Sequence, residues 1–189
     1  IDKLIVATNE NDILQRVINT GEYKPSKVKP SISPSMDIQV SSNFERLLFD
    51  IVKQDDKKVD SLMKDLLTKG FFKLDKKAVE IIKKDFCAEK IDDQETLSII
   101  KNLNTESQFI VDPHTATALG AAKKVGNLSE TIILGTAHPY KFFETVKKAT
   151  GKIINAPSQL LNAVDKEEKF DIIDNNISEI KNYILEKAL

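Results

Sequence analysis

The order of apolar and polar positions predicts an alternation of short buried strands and amphipathic helices. Leu4 to Ala7 is an unbroken apolar run that suits a strand covered on both faces, and Thr8 and Asn9 end it. A helix follows over about 11–20, with Ile13, Leu14, Val17 and Ile18 on one side and Gly21 as its stop. Pro25, Pro30 and Pro34 then mark an extended loop over 22–36. Ser41, Ser42 and Asn43 precede Phe44, Leu47, Leu48, Ile51 and Val52 at helical spacing. Val59, Leu62, Met63, Leu66 and Leu67 repeat that spacing up to Gly70, so the two segments read as an antiparallel helical hairpin. Phe71 to Leu74 reads as a short strand, followed by helices over about 76–86 and 93–103, the second capped from Asp92 or Asp93.

The character changes after residue 108. Phe109, Ile110 and Val111 form a short apolar run, and Asp112-Pro113 opens a helix with Asp as N-cap and Pro at its first position. Ala116, Ala118, Gly120, Ala121 and Ala122 keep that helix thin enough for close packing. Thr131 to Ala137 is a further buried-strand candidate, and His138-Pro139 starts a helix that Gly151 ends. The last forty residues are more polar and finish in a helix carrying Ile177, Ile180 and Ile184. At least three strand-then-helix units result. They predict an α/β fold with a parallel sheet flanked by helices. Ligands of such sheets bind at the carboxyl ends of strands. Those ends are Thr8-Asn9, Asp112 to Thr115 and Gly135 to His138.

Composition narrows the chemistry. The 189 residues carry 28 Lys+Arg against 29 Asp+Glu, a net charge of −1, which offers no general attraction to nucleic acid or an anionic membrane. Cys87 is the one cysteine, so neither an internal disulfide nor a CxxC motif exists. It reads as a packed small hydrophobe in a reducing, cytoplasmic setting. No apolar run reaches the roughly 18 residues of a membrane span. Arg16 and Arg46 are the only arginines beside 26 lysines. Their planar guanidinium groups suit anion binding.

The two histidines, His114 and His138, each sit beside a proline at a strand-to-helix turn. Either could act as an acid or base with an ordinary pKa of about 6.5, or serve as a helix cap or turn anchor. Asp112 suits capping better than catalysis. Thr136 could offer a hydroxyl to a ligand or be an ordinary strand threonine. Ser41 to Asn43 with Arg46 could hold a phosphate at a helix start or simply cap it. GxGxxG, Walker A, GxSxG, HExxH and EF-hand patterns are absent, and two His with one Cys do not make a structural metal site. No metal is expected.

Four stretches, LIVATNENDIL, SPSMDIQVSSNFERLLFD, FIVDPHTATALGAAKK and ILGTAHPYKF, taken together and in this order resemble the threonine synthase family, its microbial and fungal class in particular. The likeness is clearest over 4–50 and 92–151. It implies a pyridoxal phosphate (PLP) enzyme of the tryptophan-synthase-β fold type, a carbon–oxygen lyase acting on phosphate. Such an enzyme turns O-phospho-L-homoserine and water into L-threonine and phosphate. The family's Schiff-base lysine and its SGNFG-type phosphate loop match nothing here. The chain is therefore expected to be a C-terminal portion that begins immediately after the helix following the phosphate loop, is inactive alone and has the missing N-terminal half as partner.

By the resemblance, Thr136 meets the pyridine nitrogen and Asn9 lies near the cofactor ring. Ser35, Asp37, Ser42, Asn43 and Arg46 belong at the substrate mouth, and His114 and His138 shape the pocket. No residue of the chain is assigned the catalytic base. Residues 1–41 and 104–189 are expected in the large PLP domain, with 42–103 a mainly helical insertion. Two other readings stay open: a catalytically dead relative kept for binding, and an unrelated α/β interaction domain.

Overall fold

The computed structural model describes residues 1–126, 128–164 and 166–188. They form two compact units, Ile1–Asn155 and Ala156–Leu189. The boundaries expected near 41 and 103 fall inside the first.

In the first unit β1 (Leu4–Thr8) pairs in parallel with β4 (Phe86–Lys90), in a register running from Leu4 opposite Phe86 to Thr8 opposite Lys90. Between them lie α1 (Ile13–Thr20), β2 (Glu22–Tyr23), α2 (Phe44–Ile51), α3 (Asp56–Lys69), β3 (Phe72–Lys73) and α4 (Lys76–Asp85). β2 and β3 pair antiparallel. The helix stops follow the sequence: Gly21 and Gly70 are both left-handed, at φ +79° and +78°. Asp55 and Asp75 cap α3 and α4 through their side chains. The core of this half joins Ile13, Val17, Ile18, Leu48, Ile82 and Ala88 to an aromatic stack. The Tyr23 ring lies 4.8 Å from that of Phe72 and 5.6 Å from that of Phe44. The Tyr23 hydroxyl accepts the Ser41 N–H at 2.7 Å, which ties the start of α2 to the stack.

β4 departs from the sequence pattern. The expected helix over 76–86 gives way at Phe86, which turns extended, and Ile91 N–H then bonds Thr8 O at 3.0 Å. Phe86 to Ala88 is too short an apolar run to be told from a helix end; only β1 beside it decides. Cys87 is half-buried there, its thiol 3.9 Å from Leu4 O, and burial pushes that thiol up. One strand of the parallel pair thus comes from the stretch expected to be mainly helical.

α5 (Asp93–Ser107) starts in a capping box, with Asp92 and Glu95 each bonding the other's backbone N–H. α6 (Pro113–Val125) crosses it closely at Gly120, where a Cβ would stand 2.7 Å from Ile99 Cδ1 and 3.0 Å from Ile91 Cδ1. Ile100, Val111 and Ala116 make a second small core. Among the described residues neither 109–111 nor 131–137 forms a strand. This corrects the expectation of three strand-then-helix units: the parallel sheet here is the β1–β4 pair. Ile132 and Leu134 are 85% and 73% exposed. A segment of strong strand propensity stays irregular when no neighbouring edge completes its ladder. After it, a 3-10 turn over Pro139–Phe142, capped by His138, leads into α7 (Phe143–Thr150), which ends at left-handed Gly151.

The second unit holds α8 (Ser158–Val164) and α9 (Ile177–Lys187). Asn176 caps α9 by accepting the Ser178 and Glu179 N–H groups. No helix among the described residues is long and apolar enough to cross a membrane.

Candidate functional site

The N-cap of α6 is where the polar residues of the first unit converge. Asp112 is 1% exposed and His114 7%. Oδ1 of Asp112 accepts the backbone N–H of His114 at 2.9 Å and that of Thr115, as helix capping requires. The same oxygen lies 2.9 Å from His114 Nδ1, and Oδ2 accepts the Thr115 hydroxyl. The backbone N–H of Ser35 donates to His114 Nε2 at 3.2 Å. A backbone N–H only donates, so Nε2 carries no proton and the ring proton sits on Nδ1, facing Asp112. His114 is thus held as one neutral tautomer, and its Nε2 is occupied. The Phe142 ring lies against it, with centroids 4.6 Å apart.

Thr115 carries the network further. Its hydroxyl oxygen accepts the backbone N–H of Thr136 at 3.3 Å. Thr136 is exposed, and among the described residues its own hydroxyl makes no hydrogen bond. Ser35, His114 and Thr136 line one cavity of about 1030 Å³, whose walls also include Ile5, Ala7, Ala118, Phe142 and Lys141. This is large for a small-molecule site and mixes an apolar lining with a few polar groups. Lys3, also on the wall, donates to Lys83 O at 3.1 Å.

The other candidates lie elsewhere. Asn9 is 1% exposed and does not line the cavity. Its Nδ2 donates to Ser31 Oγ at 2.7 Å, Ser33 Oγ at 3.1 Å and Asp37 Oδ1 at 2.7 Å, while Oδ1 accepts the Asn11 N–H at 2.8 Å. Asp37 also accepts the Ser31 N–H and hydroxyl and the Asn11 amide. This buried knot fixes the 29–39 loop that presents Ser35 at the cavity. Nearby, Asp93 receives the Ile32 N–H. Burial pushes its carboxyl up, that bond pulls it back, and Glu10, Asp37 and Asp92 add to the rise. Ser42, Asn43 and Arg46 are exposed at the start of α2, away from the cavity lining, and no side chain caps that helix. His138 is exposed, and its Nδ1 accepts the Tyr140 N–H at 3.1 Å, a capping role.

The sequence pattern points to Asp112 as a cap and does not point to Thr115, Asn11, Ser31 or Lys141. A capping aspartate followed by His and Thr is the readable signal for the first. The rest depend on which loop folds against which, and no spacing along the chain encodes that. No group of His, Cys, Asp and Glu suited to a metal occurs among the described residues.

Comparison with known proteins gives a consistent result. The family profile described as "Threonine synthase, C-terminal" matches residues 115–184. The chain is 36% identical to threonine synthase of Pseudomonas aeruginosa, over 97% of this chain and 40% of that protein. It is 36% identical to threonine synthase of Saccharomyces cerevisiae, over 99% of this chain and 42% of that one. The crystal structure of PLP-bound threonine synthase from Brucella melitensis superposes with a TM-score of 0.85 at 36% identity, over 97% of this chain and 40% of that structure. The chain therefore spans about two-fifths of the length of the curated relatives it matches.

Proposed function

We propose that this chain, which is similar to about two-fifths of the length of curated threonine synthases, is the C-terminal portion of such an enzyme and forms one wall of a PLP site that converts O-phospho-L-homoserine and water to L-threonine and phosphate. The observation that carries the reading is Thr136. Its backbone is fixed through Thr115 to the buried Asp112, while its hydroxyl is left without a partner among the described residues, on the wall of the cavity.

The residues present suit such a group. Ile5, Ala7, Ala118 and Phe142 give a planar ring an apolar bed, and one neutral hydroxyl beside them can meet a ring nitrogen. When bound, the cofactor supplies the electron sink for proton removal next to the substrate's amino carbon and for loss of its phosphate. The chain's own part is orientation. The Thr136 hydroxyl would hold the ring nitrogen by donating a hydrogen bond, and being uncharged it would not favour a proton there as a carboxylate would. Ser35 and the 29–39 loop form the substrate side, with Asp37 and Asn9 acting through that loop. Ser42, Asn43 and Arg46 lie off the cavity lining, and of the three the exposed Arg46 guanidinium is the group suited to attract the phosphate-bearing substrate. His114, with Nε2 occupied, shapes the pocket and does not serve as base, and His138 holds the turn after Thr136. The Schiff-base lysine and the glycine-rich phosphate loop come from the remaining length of the parent enzyme, and the chain by itself is inactive. Its lone Cys87 suits a reducing, cytoplasmic setting.

The test uses the full-length enzyme containing this chain. Supplied with PLP and O-phosphohomoserine, it releases phosphate and forms threonine one for one. Thr136→Val weakens cofactor binding about tenfold, the scale of one lost hydrogen bond, and lowers turnover, while Thr136→Ser restores both. Absence of phosphate release overturns the reaction, and an unchanged cofactor affinity in the valine variant overturns the role of Thr136.

A further inference from the structure

We infer that Asp112 is a positioning residue that braces two separate rims of the cavity at once, through two side chains that follow it in the same helical turn. One arm runs from Oδ1 through the His114 ring to the backbone N–H of Ser35, with steps of 2.9 and 3.2 Å. The other runs from Oδ2 through the Thr115 hydroxyl to the backbone N–H of Thr136, the last step being 3.3 Å. Ser35 and Thr136 stand 101 positions apart along the chain yet line the same cavity. Each reaches the α6 N-cap through a hydrogen bond from its own main chain. The bonds fix where the two backbones run, and among the described residues neither side chain is tied up by a hydrogen bond of its own at the cavity wall. The inference rests on the reading above for what each rim does, and on geometry alone for the bracing.

Three features set this apart from ordinary capping. A cap needs one side-chain oxygen aimed at the first turn, and Asp112 Oδ1 already provides it. Among the described residues Oδ2 takes no part in the cap and accepts only the Thr115 hydroxyl. The His114 tautomer is the second feature. Only with the proton on Nδ1 does Nε2 remain an acceptor for Ser35, and a carboxylate, which accepts and never donates, enforces that state. An Asn or Ser cap would satisfy the helix and leave the ring free to turn its proton toward Ser35. The third feature is burial. With Asp112 1% exposed and His114 7% exposed, water does not readily replace either partner, so losing one bond leaves a buried polar group unsatisfied. The two arms are chemically independent beyond the carboxylate, since each begins on its own oxygen. They are therefore separable by substitution.

The experiment is carried out on the full-length enzyme, with amide hydrogen exchange at Ser35 and Thr136, PLP affinity by fluorescence titration and KM for O-phosphohomoserine. Thr115→Val is expected to speed exchange at Thr136 at least tenfold and to weaken PLP binding severalfold, with Ser35 unchanged. His114→Ala is expected to speed exchange at Ser35 and raise KM, with exchange at Thr136 unchanged. In His114→Gln the side-chain oxygen again accepts from Ser35, and protection there returns. Asp112→Ala releases both rims together. Should it fail to fold, the two single-arm variants still decide. The bracing role is overturned if Thr115→Val and His114→Ala disturb both rims alike, or if neither changes exchange at its own rim. A purely structural role lowers melting temperature and moves both rims together, whereas the brace confines each variant's change in exchange to its own rim. If the wild-type enzyme does not release phosphate from O-phosphohomoserine, the proposed reaction fails while the exchange measurements still judge the brace.

Discussion

Nδ2 of Asn9 stands 2.7 Å from Oδ1 of Asp37, and the contact joins the end of β1 to the loop that carries Ser35. Two residues that the sequence places 28 positions apart hold each other, and they act on the cavity through the loop between them. Around this pair Asn11, Ser31 and Ser33 supply further bonds, so nearly every polar atom in the knot has a partner.

Asn9→Asp tests that knot with almost no change of shape. The new carboxylate faces the half-buried Asp37 where a donor stood, and two like charges oppose each other at close range. We expect a loss of about 2–4 kcal/mol at neutral pH, the scale of a broken buried polar pair. The folded pKa of the pair is then raised above the unfolded one, so the deficit grows as pH rises through that interval and shrinks below it. Urea unfolding at neutral and acid pH reads this directly. Equal deficits at both pH values refute the like-charge contact.

Asp12 gives the opposite sign. Burial raises its carboxyl, but hydrogen bonds from Arg16 at 2.8 Å and Lys90 at 3.2 Å outweigh that and hold it below the ordinary carboxylate value. Its contribution to stability is complete above an unfolded pKa of about 3.9 and is lost as pH falls through the folded value. The wild-type chain is expected to weaken along that acid limb, and Asp12→Asn to follow a flatter curve. Parallel curves for the two proteins count against the ion-pair account.

Gly21 and Gly70 separate strain from crowding. Both have φ close to +79°, so alanine at either carries the cost of a left-handed backbone, about 1 kcal/mol. At Gly70 nothing stands within 4 Å of the added Cβ, whereas at Gly21 it meets Val79 Cγ2 at 2.7 Å and Leu74 O at 3.1 Å. Gly21→Ala is expected to cost at least about 1 kcal/mol more than Gly70→Ala, the scale of an overpacked site. Chemical denaturation of the two variants measures the difference, and equal costs refute the close approach of α4 to the end of α1.

Most helices were legible because a helix is local. The spacing of Ile13, Val17 and Ile18, the caps Asp92 and Asp112, and the stops Gly21, Gly70 and Gly151 are all set within a few residues of chain. The strands were harder for the opposite reason. Phe86 to Lys90 became β4 because β1 lies beside it, while Thr131 to Ala137, the better strand by composition, remains irregular with Ile132 and Leu134 exposed.

The candidate residues divide in the same way. The sequence by itself determined which chemical groups cluster after each apolar run, the Asp112 cap, and the family likeness carried by four ordered blocks. Tertiary structure alone decided that Ser35, His114 and Thr136 share a cavity, that Asn9 and Asp37 face each other behind it, and that Ser42, Asn43, Arg46 and His138 stay outside its lining. Capping and periodicity are interactions between neighbours in the chain, so spacing encodes them. The bonds from Ser35 to His114 and from Thr136 to Thr115 form only when separate segments meet, and their partners are chosen by packing.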